Sequence, residues 1–526
     1  MIRQLLIAAV VTAMVACASV EAPAERLVIL HTNDTHSQIE PDAGGAGGVL
    51  QRKAVIDSVR EVEKNVILVD AGDMVQGSLF FKFYRGDVEY PLMNMMGYDI
   101  RILGNHEFDN GMEELARHYK DVRASRLSAN YDFSDTPLHG MFAPYVIKKA
   151  GGKKIGFVGL NVDPASLIDA KSYKGMRFNE IVPVANETAR YLKDKEKCDL
   201  VVAVTHIGAV KENDKTTDYE LAASSKDIDI IIGGHSHTLI RPGQEGKYPS
   251  VVKNADGRPV LVTQTGKYGK YIGRIAIDLD RLEKSDGRSF DYSLIPVTDR
   301  FPDSVLDSQM KKFLEPYRAG VDSVNSHVIA TSLYDLDADD RNGGYANFIS
   351  DLVYDYGKHV ADSLRMADST FPHLDFAIMN VGGIRMNMRK GPVTEGQILT
   401  TFPFSNRIVL ARLKGKDLLE AMKVAAMKGG EGVSRNIRVV SDSAGRMERV
   451  LLNGRDVDAG EEYTYATIDY LAGGNDDLLS LGNGKVIWKD DKEYSVPVVE
   501  VVKRMGEAGL PVAPDPNGRF IRRAEK

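Results

Sequence analysis

Cysteine is nearly absent, with only Cys17 and Cys198 in 526 residues. If Cys17 is removed or modified, Cys198 has no intramolecular partner, so the fold does not rest on a disulfide in any redox compartment. An excess of positive charge is missing as well. Lysine and arginine number 67 against 74 acidic residues, a formal net charge of -7, which gives no electrostatic reason to expect a nucleic-acid polymer as partner, since phosphate backbones need concentrated Lys and Arg. Small anionic ligands need only a local cluster and stay open. After Val15 no stretch is long and apolar enough for a transmembrane helix. What is present, 43% hydrophobic and 27% charged residues, is the composition of an ordinary globular protein, and the length implies two or three domains.

The chain begins with one positive charge at Arg3, the apolar run Leu5 to Val15, and the small residues Ala16, Cys17, Ala18 and Ser19. This is the pattern of a secretory signal, too short to span a membrane. Met14-Val15-Ala16-Cys17 resembles a bacterial lipobox, in which Cys17 would carry the lipid; cleavage near Ala18 or Ala24 is the competing reading. Both predict export, to the periplasm or to a lipid anchor on the cell envelope. Cys198 precedes the apolar run Leu200 to Val204 and reads as buried and inert.

From Arg26 to about Leu279, short apolar runs each end in a polar cluster. Leu27 to Leu30 leads into His31-Thr32-Asn33-Asp34-Thr35-His36, Val66 to Val69 into Asp70-Ala71-Gly72-Asp73, and Ile102-Leu103, read as a strand end, into Gly104-Asn105-His106-Glu107-Phe108-Asp109. Later, Leu200 to Val204 leads into Thr205-His206, and Ile228 to Ile232 into Gly233-Gly234-His235-Ser236-His237. Amphipathic segments Val49 to Lys64 and Pro183 to Lys195 lie between them. The alternation predicts a layered α/β domain with its polar clusters at the carboxyl rim of the strands. Asp34, His36, Asp73, Asn105, His206, His235 and His237 then form an oxygen and imidazole set without thiolate. Such a set suits two divalent transition-metal ions, zinc or manganese among them, with one carboxylate shared. The bland reading of the Gly104 to Asp109 stretch is a polar turn capping a helix.

Asp34-x-His36, Gly72-Asp73, Gly104-Asn105-His106-Glu107, His206 and Gly234-His235-Ser236-His237 together resemble the ordered motifs of calcineurin-like metallophosphoesterases. The opening His31-Thr32-Asn33-Asp34-x-His36 is similar to the 5'-nucleotidase branch in particular, with Ser37 where Gly often follows. The resemblance implies that Asp34, His36 and His237 hold one metal, that Asn105, His206 and His235 hold the other, and that Asp73 bridges them. It also implies that His106 is a donor to the phosphoryl or leaving oxygen, oriented by Asp109. His31, His118, His139, His327, His359 and His373 match no motif and read as structural or solvated.

The character changes between Ile295 and Ser326, where Ser304 to Arg318 reads as a helix despite Pro316. The expected division is a signal over 1–24, a metallophosphoesterase domain over 25–298, a linker helix over 299–325 and a smaller α+β substrate-binding domain over 326–526. In the last, Tyr345 to Tyr356 and Gly415 to Ala426 read as helices, and Phe376 to Met379, Ile408 to Leu413 and Tyr463 to Ile468 as strands. Its turns, Asn380-Val381-Gly382-Gly383-Ile384-Arg385, Phe402-Pro403-Phe404-Ser405-Asn406 and Asp469-Tyr470 through Gly473-Gly474-Asn475-Asp476, combine glycines, a guanidinium and flat rings. That inventory suits a phosphate and an aromatic base, although each ring taken alone reads as core.

These turns resemble the carboxy-terminal domain of 5'-nucleotidases. The resemblance implies that Arg385 binds phosphate, that Phe404 and Tyr470 sandwich the base, that Asn406 reads its edge, and that Asn380 and Gly383 line the site. Arg341 falls near another basic contact of the family, and Asn475 stands where relatives carry an Asp for the ribose hydroxyls. The expected function is removal of phosphate from nucleoside 5'-monophosphates, with small nucleotides as the partners and any membrane attachment only through a lipid on Cys17. The alternatives are a 2',3'-cyclic-nucleotide phosphodiesterase, a UDP-sugar diphosphatase and, in another class, a non-catalytic surface nucleotide-binding or adhesive protein.

Overall fold

The computed structural model describes residues 25–165, 167–211, 215–282, 290–515 and 517–523; the expected signal and Cys17 lie outside them. The first half is built on two six-stranded sheets. Leu27 to Leu30 are fully buried because Arg26–Thr32 is a central strand, parallel to Asn65–Asp70 and antiparallel to Tyr271–Asp278. Ile100–Arg101 and Ser125–Arg126 continue the parallel side. In the second sheet Lys153–Asn161, Leu200–His206, Ile230–Ile232 and Pro259–Thr263 run parallel.

The sheets face each other across an apolar core that includes Ile29, Val69, Phe157, Val202 and Ile232. Helices cover the outer faces, Val49–Val62 on one and Ile181–Asp194 on the other. Strands buried on both faces explain why the sequence shows continuous apolar runs in place of alternation. The expected layered α/β domain is therefore present as a sheet-on-sheet sandwich with outer helices.

Two expectations shift. The strand ahead of Gly104 is only Ile100–Arg101, and Ile102-Leu103 continue as irregular buried chain. The helix between the halves is Ser308–Asn325, not Ser304 to Arg318. It starts where Asp307 accepts from the Gln309 and Met310 amides, and it carries Pro316 in its interior.

The second half holds a five-stranded sheet in the order Gly432–Val433, Phe376–Met379, Glu462–Ile468, Arg407–Lys414, Lys485–Glu493, and a four-stranded sheet beside it. Its long helix, Gly344–Ala367, exceeds the expected Tyr345 to Tyr356. Gly357 lets it lie on the sheet, since a Cβ there would stand 2.9 Å from that of Ala466. The halves touch through the linker helix, where Arg318 makes a bidentate pair with Glu40 at 2.6 and 3.0 Å. A second contact runs from Lys82 to the Phe402 carbonyl at 3.2 Å and to Glu493 at 3.1 Å.

Candidate active site

All seven expected donors meet at one rim. Asp34, Asp73 and Asn105 follow strands of the first sheet, while His206 ends a strand of the second and His235 follows another. Three groups, Asp34–His36–His237, Asp73–His206–His235 and His36–Asp73–His106, each place one ligand atom per residue within 4.8 Å of the others. Asp73 and His36 each belong to two of them. His36 Nε2 and His237 Nε2 lie 2.9 Å apart, with Asp34 Oδ1 3.6 Å from the latter. The Asn105 amide oxygen lies 2.9 Å from His235 Nδ1. His206 Nδ1 is anchored on the Ala71 carbonyl at 2.7 Å. That turns its Nε2, a buried atom without a hydrogen bond, toward Asp73 Oδ2 at 3.1 Å.

Protonation favours ligation at three of the donors and opposes it at two, since burial raises Asp34 to about 7 and His206 is raised by its carboxylate neighbour. Burial holds His36 and His237 well below the ordinary imidazole value and takes His235 to about 3, so their nitrogens keep free lone pairs. Burial works against charge on Asp73, yet His206 and His106 beside it keep its carboxylate well below the usual range. Burial likewise opposes charge on His206, but Asp73 pushes it up to about 10. Imidazole nitrogens facing one another beside a carboxylate are a donor set that divalent cations fit.

His106 stands slightly apart. Its amide donates to Asp73 Oδ1 at 2.9 Å, and its Nδ1 pairs with Asp109 Oδ2 at 3.0 Å. Burial opposes its charge, but Asp109 and Asp73 raise it above the ordinary value. The second half closes over this point. The Phe404 ring lies 5.8 Å from the His106 ring, and the Arg385 charge weighs against protonation of His36, His237 and His106. A cavity of about 540 Å³ opens beside the centre, lined in part by His237, Lys267, Tyr268, Arg385 and Asn387.

Residues 27–239 match the family described as calcineurin-like phosphoesterase, and residues 326–481 match the 5'-nucleotidase C-terminal domain. The chain belongs to the 5'-nucleotidase family of calcineurin-like phosphoesterases. It is 28% identical to a Vibrio cholerae 5'-nucleotidase, over 90% of this chain and 91% of that one. It is also 28% identical to the trifunctional nucleotide phosphoesterase YfkN of Bacillus subtilis over 84% of this chain, but spans only 29% of YfkN. The crystal structure of a 5'-nucleotidase precursor from Thermus thermophilus matches with a TM-score of 0.80 and 28% identity, over 95% of this chain and all of that one. Membership makes the chain a hydrolase, and the calcineurin-like domain makes it a user of divalent metal.

Three residues of the site escaped the sequence reading. Glu107 is buried and accepts the amides of Asp73, Met74 and Gly104 at 3.0, 3.0 and 2.5 Å, tying two ligand loops together. Asn475 turns its amide back to the Tyr470 carbonyl at 2.8 Å, whereas its neighbour Asp476 faces the site and accepts from Asn380 at 2.7 Å. The carboxylate nearest in sequence to position 475 is therefore that of Asp476, which also accepts from Lys428 at 2.8 Å. Glu431, fully buried, binds Arg341 at 2.9 Å. Glu107 and Asp476 carried a signal, their places inside the Gly-Asn-His-Glu run and the Gly-Gly-Asn-Asp turn, and Glu431 carried none. Ser37 stands at φ 52, a conformation that accounts for glycine at this point in relatives.

Proposed function

We propose that this protein removes phosphate from nucleoside 5'-monophosphates at a two-metal centre formed by Asp34, His36, Asp73, Asn105, His206, His235 and His237. The carrying observation is the convergence of these donors with Phe404 and Arg385 of the second half around His106. When bound, the cations would polarise phosphoryl oxygens and make water nucleophilic near neutral pH. His106, held through Nδ1 by Asp109, presents Nε2 to the phosphoryl or leaving oxygen and donates a hydrogen bond there. Arg385 forks onto the phosphate, and Phe404 and Tyr470 take the base between them. Asn380, Gly383, Asn406 and Asp476 line the nucleoside side, and Asn475 supports Tyr470. The domains are taken as 25–298 and 326–526, joined by the helix.

A phosphate-release panel with AMP, UMP, a UDP-sugar and a 2',3'-cyclic nucleotide tests this reading. Release from the monophosphates alone supports it. Release confined to the UDP-sugar or the cyclic ester refutes it, and none after loading with several metals makes the chain a binding protein. We also infer export, from Arg3 and the run Leu5 to Val15. If Cys17 carries lipid, Cys17→Ser moves the protein from membranes to the soluble fraction.

A further inference from the structure

Three separate segments of the second half meet on one buried carboxylate. Glu431 Oε1 accepts from Arg341 Nη1 at 2.9 Å and lies 3.3 Å from Lys428 Nζ. Its Oε2 accepts the Val381 amide at 2.7 Å, inside the Asn380 to Arg385 turn. Lys428 donates onward to the Asp476 carboxylate at 2.8 Å and the Asp476 carbonyl at 3.0 Å. Asp476 accepts from Asn380 at 2.7 Å, which closes a ring. The backbone around Glu431 admits no side chains. A Cβ on Gly430 would stand 2.6 Å from the Arg341 carbonyl, and one on Gly432 2.6 Å from that of Ala346.

A fully buried carboxylate persists only when its charge and lone pairs are met. Here the groups that meet them also carry residues of the proposed nucleotide pocket: the Val381 amide lies in the Asn380 to Arg385 turn, which bears the phosphate fork, and Lys428 holds Asp476 on the nucleoside side. A nucleoside 5'-phosphate has a fixed spacing between phosphate and ribose, so those ends have to stand in one register. We propose that Glu431 is the positioning residue that sets this register, acting through Arg341, Val381 and Lys428, and thereby favours nucleotides over simple phosphate esters. The inference rests on the nucleotide reading given above.

Glu431→Gln keeps size and one acceptor while removing the charge. Steady-state kinetics of the full-length, metal-loaded protein on AMP and on an aryl phosphate, which has no ribose, supply the test. The expected result is a KM for AMP about tenfold higher with kcat within about threefold, and a fall in kcat/KM on the aryl phosphate at least about fivefold smaller. Lys428→Met, which cuts the other arm, gives the same split. An unchanged KM for AMP, or equal losses on both substrates in a variant that keeps its metal content and Tm, overturns the proposal. If Glu431→Gln fails to fold, Lys428→Met decides alone. If the unaltered protein releases no phosphate from AMP, the functional reading fails by itself. Calorimetric binding of AMP to the unaltered protein and to Glu431→Gln then decides the inference, with equal affinities refuting it.

Discussion

Five of the seven donors, Asp34, His36, Asp73, His235 and His237, adopt positive φ between 45° and 77°. Residues with a Cβ reach this region at a cost of order 1 kcal/mol or more each, and they persist there only when the surroundings over-determine them. For Asp73 the surroundings are named: Glu107 binds its amide, and its carboxylate receives the His106 amide. A Cβ on Gly104 would overlap the Asp73 carboxylate and stand 2.6 Å from its nitrogen. Removing Asp73 therefore disturbs both donor groups, and Asp73→Ala is expected to lose metal from both positions, measured by elemental analysis. His106→Asn is expected to keep metal near the normal content while turnover falls about 10²- to 10⁴-fold. Asp109→Asn falls between, because the imidazole remains but its orientation loosens. Metal loss in His106→Asn in proportion to activity would make His106 a ligand.

At the scale of elements, the donors come from five loops after strands of two sheets, so no single segment holds the centre. Parallel strands deliver their carboxyl ends to a common rim, and that is why the motifs were legible: each is an apolar run followed by a polar cluster. Legibility fails where a contact leaps along the chain. Glu431 meets Arg341 across 90 residues, and no local pattern marks either as a partner. It fails again at 475 and 476, where the tight turn puts Asp476 and Asp477 at φ 56 and 62 and so decides which side chain faces inward. The Ile102-Leu103 pair read as strand because it is apolar, but Glu107 captures the Gly104 amide and bends the chain first. A centre assembled from five loops has a thermodynamic consequence. A ligand that binds only the folded state stabilises it by RT ln(1 + [L]/Kd), about 4 kcal/mol at a thousandfold excess over Kd. Chelation is expected to abolish turnover and lower Tm by several degrees, and restored divalent metal to recover both; an unmoved Tm in calorimetry would mean that the loops hold their places without metal.

Over the whole molecule, one apolar cluster runs from the first sheet through Met310, Leu314 and Val321 of the linker helix into the second half, and polar contacts join the halves as well. Lys82, on the helix Leu79–Tyr84, reaches across to the Phe402 carbonyl and to Glu493. Phe402 lies two residues before Phe404, whose ring stands 5.8 Å from that of His106, so this bond holds the chain that carries the ring. The Lys82 side chain is 9% exposed, and burial lowers its pKa despite Glu493. The Glu493 partner is 32% exposed and burial outweighs its attraction, so the pair is worth about 1 kcal/mol or less and weakens with salt. Lys82→Met preserves the apolar stem and removes the charge, leaving Glu493 room to turn to solvent. A loss of about 1 kcal/mol in placing the Phe404 loop corresponds to roughly fivefold weaker nucleotide binding. Metal content should not move, because Lys82 touches no donor, and Glu493→Gln combined with Lys82→Met should cost less than the sum of the two. Additive losses in that cycle, measured as KM for AMP at low and at high salt, would show that the two halves are aligned by the Arg318–Glu40 contact and the linker helix, with Lys82 a bystander.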